Sequence, residues 1–124
     1  MRMNEISFDV RPPIDGYGAG GFRIGGMVHR GSVLLLPHRM DGWDVAAVAE
    51  LDAAACAPLI AAAGEIDVVL VGTGAEIAPI PRAARAALEG AGLGVEIMAT
   101  GPACRTFNVL LAEDRRVAAA LIAV

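Results

Sequence analysis

The chain has 124 residues, enough for about one domain and too few for two independent cores, and a chain this size buries roughly two thirds of its unfolded surface without disulfide or metal support. With 56% hydrophobic and only 19% charged residues, intrinsic disorder is excluded. The net charge of −4, carried against ten arginines with no lysine and no basic run, argues against nucleic acid or an anionic membrane as partner.

A mean hydropathy of +0.57 raises the question of a membrane span. Crossing a bilayer takes about 20 consecutive apolar residues. The alanine-rich stretch 53–63 is interrupted by Pro58, and the run 117–124 is too short. The N-terminal MRMNEISFDVRPP carries acidic residues where a signal peptide would be apolar. No span is expected. Cys56 and Cys104 lie far apart with no CxxC or Cys/His cluster, so a reducing cytoplasm and two free thiols are expected. No metal site or cofactor loop is visible.

In chain order, Ile6 to Val10 reads as a short strand halted by Pro12 and Pro13. GYGAGGFRIGG follows, with six glycines between Gly16 and Gly26. Phe22 to Val28 and Ser32 to Leu36 read together as a hairpin that Pro37 ends. Leu51 to Ala63 has helical spacing, with Gly64 just past its end. The β-branched run 67–71 is typical of a strand covered on both faces. A second helix is predicted over 81–89, with Pro81 in its first turn. Gly94 to Met98 reads as a strand, Pro102 to Glu113 as a third helix and Val117 to Ile122 as a returning strand. This alternation predicts a three-layer α/β single domain over 1–124, with a mixed, partly parallel central sheet, an N-terminal β-hairpin region and about three helices. Because the helices are rich in alanine, burial must come from a few large residues, so Leu59, Leu88 and Leu110 should be the costly truncations.

Three places invite chemistry. Gly72-Thr73-Gly74 follows the strongest strand, where ligands bind in open α/β sheets, yet it is neither GxGxxG nor a phosphate loop with a lysine. A tight turn is the simpler reading. Cys104 falls in the first turn after Pro102, where the helix dipole lowers a thiol pKa. Its spacing with Phe107 and Leu111, however, puts it on an apolar face, so a core cysteine is preferred. If the strands ending at Val71 and Met98 are parallel neighbours, Thr73 and Thr100 emerge at one sheet edge beside the helix start. With Arg105 they would make a small anion cleft, although Thr100 is equally able to cap the helix. No paired carboxylates or Ser-His-Asp spacing stand out, and no catalytic residue is assigned.

The same residues carry a resemblance. GYGAGGFRIGG, Gly31-Ser-Val-Leu-Leu-Leu-Pro37, Gly72-Thr-Gly74, Met98-Ala-Thr100, Ala103-Cys-Arg-Thr-Phe-Asn108 and the tail from Glu113 to Leu121 resemble a bacterial and archaeal family of uncharacterised single-domain proteins. Its eukaryotic relatives include the mitochondrial NADH:ubiquinone oxidoreductase (complex I) assembly factor 3. The resemblance implies a three-layer α/β fold and a role in binding other proteins rather than in catalysis. Two functions follow. One is a non-enzymatic binding or assembly factor that uses the glycine-rich segment, with Tyr17, Phe22, Arg23 and Trp43 as contact residues and a protein as partner. The other is a small-ligand site for an anion or phosphate at Gly72, Thr73, Gly74, Thr100 and Arg105. The first is preferred, and homo-oligomerisation stays open.

Overall fold

The computed structural model describes residues 5–7 and 10–124. Six short strands come first: β1 (Glu5–Ser7), β2 (Ile14–Gly18), β3 (Gly21–Ile24), β4 (Met27–Arg30), β5 (Val33–Leu35) and β6 (Arg39–Gly42). Helix α1 (Ala57–Ala61), β7 (Val68–Gly72), α2 (Arg82–Gly90), β8 (Gly94–Met98), α3 (Thr100–Ala112) and β9 (Val117–Leu121) follow. The main sheet has six strands in the order β1-β6-β5-β9-β7-β8. Strand β7 runs parallel to β8 and β9, whereas β5 is antiparallel to β9 and β6. A separate antiparallel sheet, β2-β3-β4, completes the expected mixed α/β architecture.

Strand alternation divides the core into two. Leu34, Val69, Val71, Ala118 and Ala120 point to one face of the main sheet, where Leu59 and Leu88 cover them from α1 and α2. Val33, Leu35, Leu70, Val117, Ala119 and Leu121 point to the other, under Cys104 and Phe107 of α3 and Phe22 and Ile24 of β3. The Arg11 guanidinium lies 5.4 Å from the centre of the Phe107 ring at the margin of this second core. Strand β9 is buried at every residue, and its three consecutive alanines let both outer layers come close to the sheet. Strand β7 is paired on both sides; Val69, Leu70 and Val71 are buried, and only Val68 is half-buried.

Several boundaries differ from the sequence reading, each for a local reason. The hairpin is β3–β4, turned by Gly25-Gly26 with φ of 57° and 81°, the geometry a two-residue hairpin loop requires. Segment 32–36 belongs instead to the main sheet, paired with β6 and β9. Strand β6 was not expected, because it hides the buried Asp41 behind Arg39, whose Nε lies 3.2 Å from the carboxylate. The helix expected over 51–63 is α-helical only at Ala57–Ala61. Pro58 cannot donate in a helix interior, so it sits in the first turn, and 3-10 turns at Ala54–Cys56 and Ala63–Glu65 flank it. Pro81 is the residue before α2 rather than inside it. Helix α3 starts two residues early, at Thr100, and holds Pro102 within its first turn. In the first strand, Ser7 is the last paired residue described; residues 8 and 9 of that expectation lie outside the described residues, and Val10 is exposed.

Leu59 and Leu88 are each 1% exposed, but Leu110 is only half-buried against the second core. Leu59→Ala and Leu88→Ala should each cost about 2–5 kcal/mol in chemical denaturation, and Leu110→Ala clearly less, about 1–2 kcal/mol. Equal losses at all three positions would contradict this packing.

Candidate functional site

The parallel pairing of β7 with β8 and β9 brings Gly72, Thr73, Gly74 and Thr100 together at one end of the main sheet, as the spacing anticipated. The loop leaving β7 then closes on itself. The Thr73 N–H donates to Met98 O at 2.8 Å. Its hydroxyl donates to Glu76 O at 2.8 Å and accepts the Ala78 N–H at 3.1 Å. Thr100 is fully buried. Its hydroxyl donates to Ile122 O at 2.7 Å and accepts the Gly74 N–H at 3.0 Å, while its own N–H donates to Gly74 O at 2.8 Å. Thr100 therefore does not cap α3; the residue before the helix is Ala99, which offers no side-chain cap. Gly72 is held to glycine by the same junction, since a Cβ there would stand 3.0 Å from Thr100 Oγ1 and from Leu121 Cδ2.

The start of α3 is also covered from outside. The Tyr17 ring packs on Gly101 so closely that a Cβ there would meet Tyr17 Oη at 2.5 Å. Arg105, exposed one turn along, donates from Nη1 to that Tyr17 oxygen at 3.3 Å. The space an anion would use above the first turn is filled by a phenol.

The aromatic residues named as contacts part company. Tyr17 is 44% exposed and Arg23 is exposed, but Phe22 and Trp43 are buried, in different cores on opposite faces of the main sheet. Trp43 also spends its indole N–H on Ala55 O at 3.0 Å. Neither ring is available as a surface anchor, because each is needed to fill a core poor in aromatics. Asn108, which the sequence reading passed over, grips β2 from α3. Its side chain accepts the Ile14 N–H and donates to Ile14 O, both at 2.8 Å, as a paired strand would. Only the three-dimensional neighbour distinguishes it from a solvated helix amide.

Cys104 is buried and unpaired, as is Cys56. Burial pushes the Cys104 thiol up to about 11, against the lowering pull of Arg105 and of a backbone hydrogen bond. The nucleophile reading is disfavoured by this balance, and the histidines make contacts of their own: His29 lies 3.0 Å from Ser32 O and His38 3.0 Å from Glu65. Among the described residues no cluster of three metal-ligating side chains forms.

One hollow, of about 430 Å³, opens on the small sheet, lined by residues 15–19 together with Arg23, Val28 and Arg30.

With this geometry in view, residues 14–122 match the family described as a protein of unknown function (DUF498/DUF598). The chain belongs to it. An uncharacterized protein of Rhodobacter capsulatus is 43% identical over 98% of this chain and 93% of its own length. The human NADH dehydrogenase [ubiquinone] 1 alpha subcomplex assembly factor 3 is 34% identical over 88% of this chain, which spans 59% of that longer protein. Among solved structures, an outer membrane protein from Bartonella henselae superposes with a TM-score of 0.88 at 43% identity, covering 94% of this chain and 98% of that one. A Bordetella pertussis protein with a Mth938-like domain gives a TM-score of 0.75 at 26% identity, covering 98% of this chain and 92% of that one. The likeness to assembly factor 3 is one of sequence, and the likeness to the bacterial proteins holds along the fold as well. No helix among the described residues is long and apolar enough to cross a membrane.

Three outcomes are expected. Thr100→Val keeps the shape but strands the Gly74 N–H and the Ile122 carbonyl, and should cost about 2–4 kcal/mol, whereas Thr100→Ser should cost about 1 kcal/mol. In native protein at neutral pH, Cys104 should react with a thiol reagent orders of magnitude more slowly than in urea. Because its folded pKa lies above the ordinary thiol value of about 8.5, the unfolded state loses the proton first, so stability should fall as pH rises from there towards about 11. Labelling of Cys104 as fast as a free thiol would contradict the burial.

Proposed function

We propose that this chain is a protein-binding, assembly-type factor without chemistry of its own, acting in the cytoplasm on a NADH:quinone oxidoreductase as the similarity to assembly factor 3 suggests. The observation that carries the reading is how the polar groups of the β7–α3 junction are used. Thr73, Gly74 and Thr100 direct their hydroxyl and amide groups at one another and at the chain, and Tyr17 covers the helix start. The glycine-rich segment, by contrast, exposes Arg23 on the outer face of the small sheet and Tyr17 at its margin beside α3. A surface of bare backbone with few, well-spaced large side chains suits another protein better than a small reacting molecule.

Deleting the gene in its native host should lower the amount of assembled NADH:quinone oxidoreductase, read on native gels stained for NADH oxidation. The wild-type chain should restore it. Tyr17→Ala should restore it poorly while costing only about 1–2 kcal/mol of stability, since the ring is half in solvent. Full assembly in the deletion strain would remove the oxidoreductase role. A defined small molecule retained by the purified protein and lost on Thr73→Ala would hand the function to the anion site.

A further inference from the structure

The outer face of the small sheet holds an arrangement that the rest of the molecule does not explain. In the ladder, Arg23 stands opposite Gly16 on one side and Val28 on the other, and Arg30 stands opposite Gly21. Strand alternation therefore puts Arg23 and Arg30 on one face, on a diagonal about 7–8 Å apart at the backbone. Phe22 and Ile24 point the other way, into the core. Two like charges on neighbouring strands repel, and acidic residues are plentiful in this chain, 14 against 10 arginines. Yet among the described residues no carboxylate pairs with either guanidinium. The one acid lining the hollow, Asp15, accepts the Gly26 N–H at 3.0 Å and so serves the hairpin turn.

Gly16 is the second observation. A glycine inside a strand weakens it, and is retained where φ is positive or space is short. Gly18 has φ of 133°, so its own conformation calls for glycine. Gly21 has the neighbouring strand's backbone against the position a Cβ would take. Gly16 sits where the β2–β3 register shifts; its φ lies outside the left-handed region and a Cβ there would meet nothing within 4 Å. The missing side chain leaves open a floor of backbone directly beside Arg23, inside the hollow of about 430 Å³.

We propose that this face is a docking site for an extended acidic segment of a partner protein, its backbone lying over Gly16 and Gly18 and its carboxylates meeting Arg23 and Arg30. The partner is acidic because the two unpaired guanidinium groups ask for carboxylates, and bidentate pairing favours arginine over any other cation for that purpose. It is extended because the hollow is shallow and floored by strand backbone rather than closed around a compact molecule. Val28, 65% exposed on the edge strand β4, offers an apolar contact between the charges. The proposal deepens the protein-binding reading and rests on it, but its test is independent of any oxidoreductase.

The test is titration of the full chain with fluorescein-labelled hexaglutamate, read by anisotropy at low and high salt. Wild type should bind in a salt-sensitive manner. Arg23→Gln/Arg30→Gln should weaken binding by at least about tenfold, while Arg82→Gln/Arg115→Gln, an equal loss of exposed charge elsewhere, should leave it within about twofold. Gly16→Val, which keeps both charges and fills the floor, should also weaken binding by about tenfold or more. Should that variant unfold on heating earlier than wild type, Gly16→Ala and the double arginine variant decide the matter. No binding by wild type, or equal weakening by the two arginine pairs, would overturn the proposal. Inorganic phosphate competing as strongly as the peptide would replace the acidic segment with a small-anion site. Normal peptide binding together with normal oxidoreductase assembly in the deletion strain would remove the assembly role and leave the docking site standing.

Discussion

One buried hydroxyl organises this fold. Thr100 has no exposure to water, so each of its polar groups must find a partner inside the protein. It finds them on two other segments at once, the loop after β7 at Gly74 and the end of β9 at Ile122. That junction sets where α3 begins, how closely β7 approaches it, and why Gly72 has no side chain. Thr100 is a three-way pin, and the helix starts without a side-chain cap because the residue before it is Ala99.

The second organising constraint is scarcity of large side chains. With aromatics at 4%, the two cores are filled mainly by leucine, isoleucine, valine and alanine. Among the described residues Phe22, Phe107 and Trp43 are all drawn inside, and the aromatic ring left half in solvent is Tyr17. The three alanines of β9 complement this economy by allowing thin layers to pack closely. The same scarcity explains why the glycine-rich segment presents so little apolar surface. Its exposed chemistry is charge and backbone, and a partner would be recognised by carboxylates more than by a hydrophobic anchor.

Cys104 shows how magnitude decides between competing effects. The early turns of a helix and a neighbouring arginine both favour a thiolate. Removal from water favours the thiol, and for a side chain packed beside Phe107 it wins. Position in a helix is readable from sequence, but depth is a property of what the helix packs against, here the second core with Leu70, Ala119 and Leu121 of the main sheet. The small sheet contributes Phe22 and Ile24 to that core on its inner face and carries unpaired arginines on its outer face.

The unbroken run Val68–Val71, the β8 strand and the core face of α3 through Cys104 and Phe107 were all legible from the sequence, as were the mixed sheet and the family. The elements rest on local apolar patterning, which reports which faces are covered, and the family on its resemblance in the glycine-rich and Gly72-Thr-Gly74 motifs. The glycine-rich segment and the Thr73/Thr100 edge were likewise legible as places of interest. Their chemistry was not. Partners such as Asn108 with Ile14, Thr100 with Ile122 and Tyr17 with Gly101 lie far apart along the chain, and no spacing rule announces them. Strand β6 escaped because a buried Asp41 screened by Arg39 reads as a polar turn. The shortened α1 reflects Pro58, whose presence was plain but whose effect depended on where the surrounding turns could pack. The sequence by itself determined which segments must be covered. Only the tertiary structure decided what covers them, because burial and hydrogen-bond satisfaction belong to pairs of elements and not to either one alone.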